Sequence, residues 1–265
     1  MKIQLLRAVR TNSSDWGQGM ADTLVLLLVG HLVGDFLLQP DAMVCRKKSA
    51  AVLLGHGAIV TAATAVVIGG FPPGLLAAVL VSHLLIDAIK VRWGGPGPTT
   101  FVVDQAAHLL GLCLLAAVFS GAAAEHGWLG RLTGAEAEIY RRVVVYLGGV
   151  TLCVPAGGAL VGAVVAPLAR QVDDPPQAEG LSGGGRMIGW LERALIFLLM
   201  ISQQTSGVGF LFAAKSILRF GEIKDPKQRK MAEYIIIGTF LSFAWALLST
   251  YLTMRLLVGW AGGHV

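Results

Sequence analysis

The chain is predicted to fold as an all-α, polytopic transmembrane bundle, and three observations carry that prediction. Of its 265 residues, 55% are hydrophobic and only 14% are charged, with a mean hydropathy of +0.68, far from the values of a soluble domain. Apolar runs of the roughly 17–25 residues that cross a bilayer recur at 21–39, 50–70, 73–90, 101–121, 143–168 and 232–257, with a further long stretch at 188–218. Their interiors offer faces of helical period and no alternation of period two, which excludes a β-barrel. The expectation is about seven membrane segments.

Each element follows from its local composition. Residues 1–20 contain too short an apolar run for a secretory signal peptide and read as a surface segment lying on the membrane. Residues 21–121 hold four spans joined by short loops, which make them neighbours. A loop is expected over 122–142. Residues 143–168 carry no charge and read as an apolar packing helix, in which Gly158 and Gly162 match the close-packing pattern of small residues four apart.

Residues 169–187, rich in Pro, Gly and charge, read as a flexible loop, and 188–257 as a C-terminal membrane half. Within it, 188–218 is too long for one ordinary span and too short for two, and its middle is Ser202-Gln203-Gln204-Thr205-Ser206-Gly207. It reads as one broken crossing or as a re-entrant hairpin. The hairpin is preferred because it places the basic clusters Arg46-Lys47-Lys48 and Lys224, Lys227, Arg229 and Lys230 on one side. Glu192, Arg193, Lys215 and Glu233 would then join that face, to complete a site or to pair with one another.

The charge of +5 lies mainly in loops. That pattern suits cytoplasmic loops and anionic lipid, and no soluble basic module with interleaved aromatics points to nucleic acid. Cys45, Cys113 and Cys153 are odd in number, and two fall inside spans, so they read as small apolar fillers.

The most informative pattern is a histidine and an aspartate four residues apart, met three times: His31 with Asp35, His83 with Asp87, and Asp104 with His108. Random placement would give roughly 0.4 such pairs, and this spacing puts both side chains on one helix face. Inside a membrane an ionisable group without a partner is expensive. Because successive spans run antiparallel, these pairs and His56 fall at one membrane depth on one side. Imidazole and carboxylate together suit a divalent cation, so His31, Asp35, His56, His83, Asp87, Asp104 and His108 are the candidate ligands. Zinc is the expected ion, with manganese or iron as alternatives. Two ions sharing a carboxylate, or one ion with further carboxylates orienting its ligands, both remain open.

Asp35, Asp87, Asp104 and Lys90 are the candidate catalytic residues. Gln39, Arg46, Lys47, Lys90, Arg92 and Gln105 surround the same face and are candidates to hold an anionic or phosphate-bearing substrate. For the loop residues topology determination is an equal reading. Lys90 stands one turn from Asp87, suggesting a site role or a salt bridge.

The segments HLVGDFLLQ (31–39), HLLIDAIK (83–90) and DQAAH (104–108) resemble the signature of a bacterial membrane family known as domain of unknown function 3307, over about the first 120 residues. The resemblance implies a bacterial inner-membrane location and a shared polar centre at His31, Asp35, His83, Asp87, Asp104 and His108. It implies no chemistry, since the family has no established activity. A looser resemblance, in residue types alone, is to membrane-bound metal-dependent hydrolases.

The expected function is a membrane metal-dependent hydrolase acting on a phosphoester or related bond of a lipid-linked or membrane-proximal substrate, with its site toward the cytoplasmic face. No GxSxG or phosphate-loop motif competes. The alternatives are a divalent-cation or proton transporter, against which the apolar opposite ends of the four spans count, and a non-catalytic membrane scaffold.

Overall fold

The computed structural model describes residues 2–95, 97–171, 183–220 and 229–262, and no strand occurs among them. The expected flexible loop at 169–187 falls largely, and Lys224 and Lys227 fall wholly, outside the described residues. In chain order the helices are α1 (Lys2–Leu32), continued by a π-helical turn (Val33–Leu37), α2 (Asp41–Cys45), α3 (Ala50–Ile68), α4 (Pro73–Trp93), α5 (Pro98–Val118) and α6 (Ala122–His126). After a 3-10 turn (Trp128–Gly130) come α7 (Gly134–Thr151), a second π-helical turn (Leu152–Ala156), α8 (Gly157–Ala169), α9 (Gly184–Ile201), α10 (Thr205–Phe220) and α11 (Arg229–Gly259).

Among the described residues six helical segments are long and apolar enough to cross a membrane: Gly17–Leu37, Ala50–Ile68, Pro73–Trp93, Pro98–Val118, Gly134–Ala169 and Arg229–Gly259. At 1.5 Å per residue, helices of 19 to 21 residues span roughly 30 Å, the thickness of a bilayer's hydrocarbon. The seventh expected segment has a different form. Residues 188–218 bend at Ser202–Gln204, where Gln203 takes a left-handed φ of 61°, and α9 and α10 pack against each other as a helical hairpin. Gln204 N–H donates to the Leu199 carbonyl at 2.8 Å across the bend. A Cβ on Gly207 would meet Leu199 Cδ2 at 2.9 Å, so Gly207 lies close against the Leu199 side chain where the chain returns.

Three boundaries differ from expectation. Residues 2–20 run into the first span as one helix, so no break sets off a separate surface segment. The expected loop at 122–142 is largely helical, and the next long helix begins at Gly134. Its first turns place Glu138 and Arg142 four apart, where they form an ion pair that an apolarity scan passes over. The packing helix 143–168 is part of a continuous 36-residue segment with a π-helical turn around Pro155. Proline has no N–H to donate to the preceding turn, so the ladder shifts register there.

The chain divides into two compact units. The first comprises α1 to α4, α5 from Val102, α6, α7 as far as Gly148 and the end of α11. Here α1 packs on α3 and α3 on α4, around a core that includes Leu26, Leu27, Val60, Ile68, Leu75 and Val79. Gly30 and Gly34, spaced four apart, allow the first of these contacts. An added Cβ would lie 2.7 Å from Thr64 Cα at Gly30 and 2.8 Å from Val60 Cα at Gly34. The small-residue pair that brings backbones together is therefore this one. Of the expected pair, Gly158 approaches Arg193 and Trp190, while Gly162 faces open space.

The second unit is built mainly from the π-helical turn at Pro155, α8, α9, α10 and most of α11. Its core joins Cys153, Ile196, Phe197, Phe243 and Ala246, with Phe212 edge-on to Phe243 at a centroid distance of 5.4 Å.

Candidate metal centre

The four polar levels expected from helix direction meet inside the first unit. α1 and its π-helical extension bring His31 and Asp35, α3 brings His56, α4 brings His83, Asp87 and Lys90, and α5 brings Asp104 and His108. All four histidines are buried, His56 completely, and the side chains of Asp35, Asp87 and Asp104 are at most 7% exposed. The rings stack into one group, with centroids 4.8 Å apart for His31 and His108, 5.0 Å for His56 and His83, and 4.6 Å for His83 and His108. The π-helical turn carries Asp35 and closes with Leu38 N–H donating to the Val33 carbonyl at 2.9 Å. Such turns recur where a side chain has to be re-aimed for function.

The centre of the cluster is a set of converging donor atoms. His56 Nε2 and His83 Nε2 lie 3.1 Å apart. Asp35 Oδ1 is 3.2 Å from the first and 3.5 Å from the second. Asp87 Oδ2 is 3.5 Å from His56 Nε2 and 3.6 Å from His83 Nε2. Ligands about 2.0–2.1 Å from a tetrahedral zinc stand about 3.3–3.4 Å from one another, so these five separations match the edges of such a tetrahedron. Close as they are, neither approach to Asp35 Oδ1 has hydrogen-bond geometry, and that oxygen has no hydrogen-bond donor.

His108 shows a related pattern. Its Nδ1 donates to the Asp104 carbonyl at 3.0 Å, an acceptor that cannot reciprocate, so the neutral ring carries its lone pair on Nε2. That nitrogen is buried and without a partner, as are His31 Nδ1, His56 Nδ1, Asp87 Oδ1 and Asp104 Oδ1. Orphaned polar atoms inside a protein are few, and a group of them is open to a bound water or ion. Among the described residues three triads place one ligand atom per residue within 4.8 Å of each other: Asp35, His56 and His83; His31, His83 and His108; and Asp87, Asp104 and His108. Asp35 with His56 and His83 could hold a divalent cation, with Asp87 as a fourth ligand.

Basic residues divide between the site and the surface. Lys47 Nζ donates to Asp87 Oδ2 at 2.8 Å, and Lys90 Nζ to Asp104 Oδ2 at 2.6 Å. The expected pairing of Lys90 with its helix neighbour Asp87 gives way to one across helices, because Lys47 on the preceding loop already takes Asp87. Gln105 Nε2 also donates to Asp104 Oδ2, at 3.0 Å, so it braces the carboxylate. Gln39 turns a buried, unpaired Nε2 inward. Arg46 and Arg92 are exposed, and among the described residues neither is hydrogen-bonded to the cluster.

Three features of the first unit were not foreseen. Thr64 and Ser82 line a cavity of about 10 Å³ together with His31, His83 and His108, room for a single water. Hydroxyls among apolar neighbours carry no periodic signal that would single them out. Lys47 is expected at this face to hold an anionic substrate, but its bond to Asp87 is not, because it lies on a loop, where spacing says nothing about reach. The third feature is buried Asp22, near the far end of the first span, which accepts from Trp260 Nε1 at 2.6 Å and Gln18 Nε2 at 3.1 Å, with Arg141 at 3.8 Å. The expectation that the opposite ends of the four spans are apolar therefore fails at α1, and the Gln18–Asp22 spacing was its readable sign.

In the second unit one of the expected charge pairs forms, Lys215 with Glu192, whereas Glu233 pairs with Arg229 at 3.0 Å and Arg193 bonds the Val154 carbonyl and Ser242.

Residues 23–128, the segment that carries every candidate ligand, match the family described as Protein of unknown function (DUF3307). No curated protein and no solved structure matches the chain.

Proposed function

We propose that the protein is an integral membrane metal-dependent hydrolase that acts on a phosphoester or related bond of a lipid-linked or membrane-proximal substrate, with its site toward the cytoplasmic face. The observation that carries this reading is the set of separations from 3.1 to 3.6 Å among His56 Nε2, His83 Nε2, Asp35 Oδ1 and Asp87 Oδ2, joined to the absence of a hydrogen-bond donor at Asp35 Oδ1. His56, His83, Asp35 and Asp87 hold the ion, and zinc suits this nitrogen and oxygen set, with manganese or iron as alternatives. Such an ion supplies Lewis acidity toward a phosphoryl oxygen and lowers the pKa of water.

The chain's own groups do the rest. Gln105 and Lys90 both donate to Asp104 Oδ2 and hold its carboxylate in position beside the ion. Lys47 and Lys90 present two ammonium groups at the rim of the cluster, suited to the negative charge of a phosphate-bearing group. Burial among the spans limits access of bulk water and strengthens each of these interactions.

The test is metal analysis of the freshly purified full-length chain, with hydrolysis of phosphomonoester and phosphodiester probes in lipid–detergent micelles. Stoichiometric metal and hydrolysis, both lost in His83→Ala and Asp87→Ala, are expected. Wild type without stoichiometric metal would sink the proposal. Bound metal with uptake into proteoliposomes and no hydrolysis would replace it with cation transport.

A further inference from the structure

We infer that the centre holds two divalent cations, with Asp87 as the carboxylate shared between them and with Asp104 and His108 as the remaining ligands of the second. This deepens the proposed function and rests on the first ion being held by His56, His83, Asp35 and Asp87.

The observation is a second set of donors that shares only Asp87 with the first. Asp87, Asp104 and His108 each offer a ligand atom within 4.8 Å of the other two, and all three are buried. Asp87 Oδ1, Asp104 Oδ1 and His108 Nε2 are buried atoms without hydrogen-bond partners. The His108 ring is already set for ligation, because its Nδ1–H is spent on the Asp104 carbonyl at 3.0 Å. A backbone acceptor on the far nitrogen is the usual way a metal-binding imidazole is held in the required tautomer.

Asp87 belongs to both sets. Its Oδ2 is 3.5 Å from His56 Nε2 and 3.6 Å from His83 Nε2, while its Oδ1 is free of partners. A carboxylate with one oxygen toward each ion is the standard bridge, and two-metal sites place their ions about 3.5–4 Å apart. Lys47 and Lys90 occupy Oδ2 of Asp87 and Asp104, at 2.8 and 2.6 Å, and each leaves the other carboxylate oxygen, Oδ1, open. The water-sized cavity lies against His83 of the first set and His108 of the second, so a water has room beside both.

The decisive experiment is manganese titration of the full-length chain in detergent, read by metal content per chain and by electron paramagnetic resonance. Wild type is expected to bind two Mn²⁺ per chain with an exchange-coupled spectrum. Asp104→Asn and His108→Ala are expected to keep one, with the isolated six-line signal of a single ion. Two separate variants guard against a folding defect in either, and retention of one ion reports that the first site is intact. One Mn²⁺ per wild-type chain, unchanged by Asp104→Asn, overturns the second ion and leaves the first standing. Two ions without magnetic coupling overturn the Asp87 bridge. No bound ion overturns the proposed function together with this extension of it.

Discussion

Asp87 and Arg193 are sealed to nearly the same degree, 1% and 3% exposed, yet their polar atoms meet different surroundings. In the second unit Arg193 donates from Nε and Nη2 to the Val154 carbonyl, at 3.2 and 3.0 Å, and from Nη1 to Ser242 Oγ at 3.1 Å. Gly157, Gly158 and Gly189 leave room for its side chain, since a Cβ on each would stand 3.0 to 3.2 Å from an Arg193 atom. The carbonyl that accepts twice lies next to Pro155, inside the π-helical turn. This is a buried charge spent on holding a distorted helix to its neighbours. In the first unit buried carboxylates and imidazoles crowd to within 3.1–3.8 Å and still leave seven side-chain atoms of His31, Asp35, Gln39, His56, Asp87, Asp104 and His108 without hydrogen-bond partners. A polar group whose bonds are all made rigidifies a core, and one whose bonds are left open is suited to a ligand. Asp22, with its indole, amide and guanidinium neighbours, belongs with Arg193 on that criterion.

Substitution can break the contrast at either end. The largest effect is expected for His83→Ala, whose ring belongs to two of the three triads. Metal content should fall below stoichiometry and hydrolysis by more than the roughly 100-fold that follows loss of a group merely orienting a ligand, as read by elemental analysis and initial rates. Next is Arg193→Met, which strands the Val154 carbonyl and Ser242 at roughly 1–3 kcal/mol for each buried group. Denaturation in mixed micelles should show that loss while metal content stays at the wild-type level. A drop in metal would erase the distinction between the units.

Gly34→Ala probes how the first unit is held together. The added methyl meets the Val60 backbone at 2.8 Å and should destabilise by about 1–3 kcal/mol, the range for overpacking a filled core. Because Asp35 is the adjacent residue, metal affinity should weaken alongside, measurable by competition with a chelating dye. The smallest effect, and of opposite sign, is expected for Lys47→Met. Removing the ammonium from Asp87 takes away a competitor for the cation, and affinity should rise about tenfold, ~1.4 kcal/mol. Unchanged or weaker binding would show that Lys47 supports the centre and does not compete with it.

Much of this was legible in the chain. Helical periodicity and apolar length foretold the spans, and the four-residue His–Asp spacing with alternating span direction foretold that residues from 31 to 108 would converge. Gly30-x-x-x-Gly34 is also readable, but it is masked by the His31–Asp35 pattern, which overlaps it in four of its five residues. What spacing could not reach were pairings across loops. Lys47 with Asp87 and Lys90 with Asp104 depend on how far a flexible side chain extends between helices, and no one-dimensional period encodes that.

The sequence by itself determined a helical membrane protein with its His–Asp pairs gathered on one level, because a chain in hydrocarbon must satisfy its backbone within each helix and can tolerate buried charge only where partners meet it. Only the tertiary structure decided which partners meet. Backbone contact at two glycines and a π-helical turn at Asp35 place donor atoms from separate helices about 3 Å apart, and distances of that size depend on side-chain packing in three dimensions. The same packing leaves some of those donors unsatisfied, which is the feature that points beyond the fold to a bound cation.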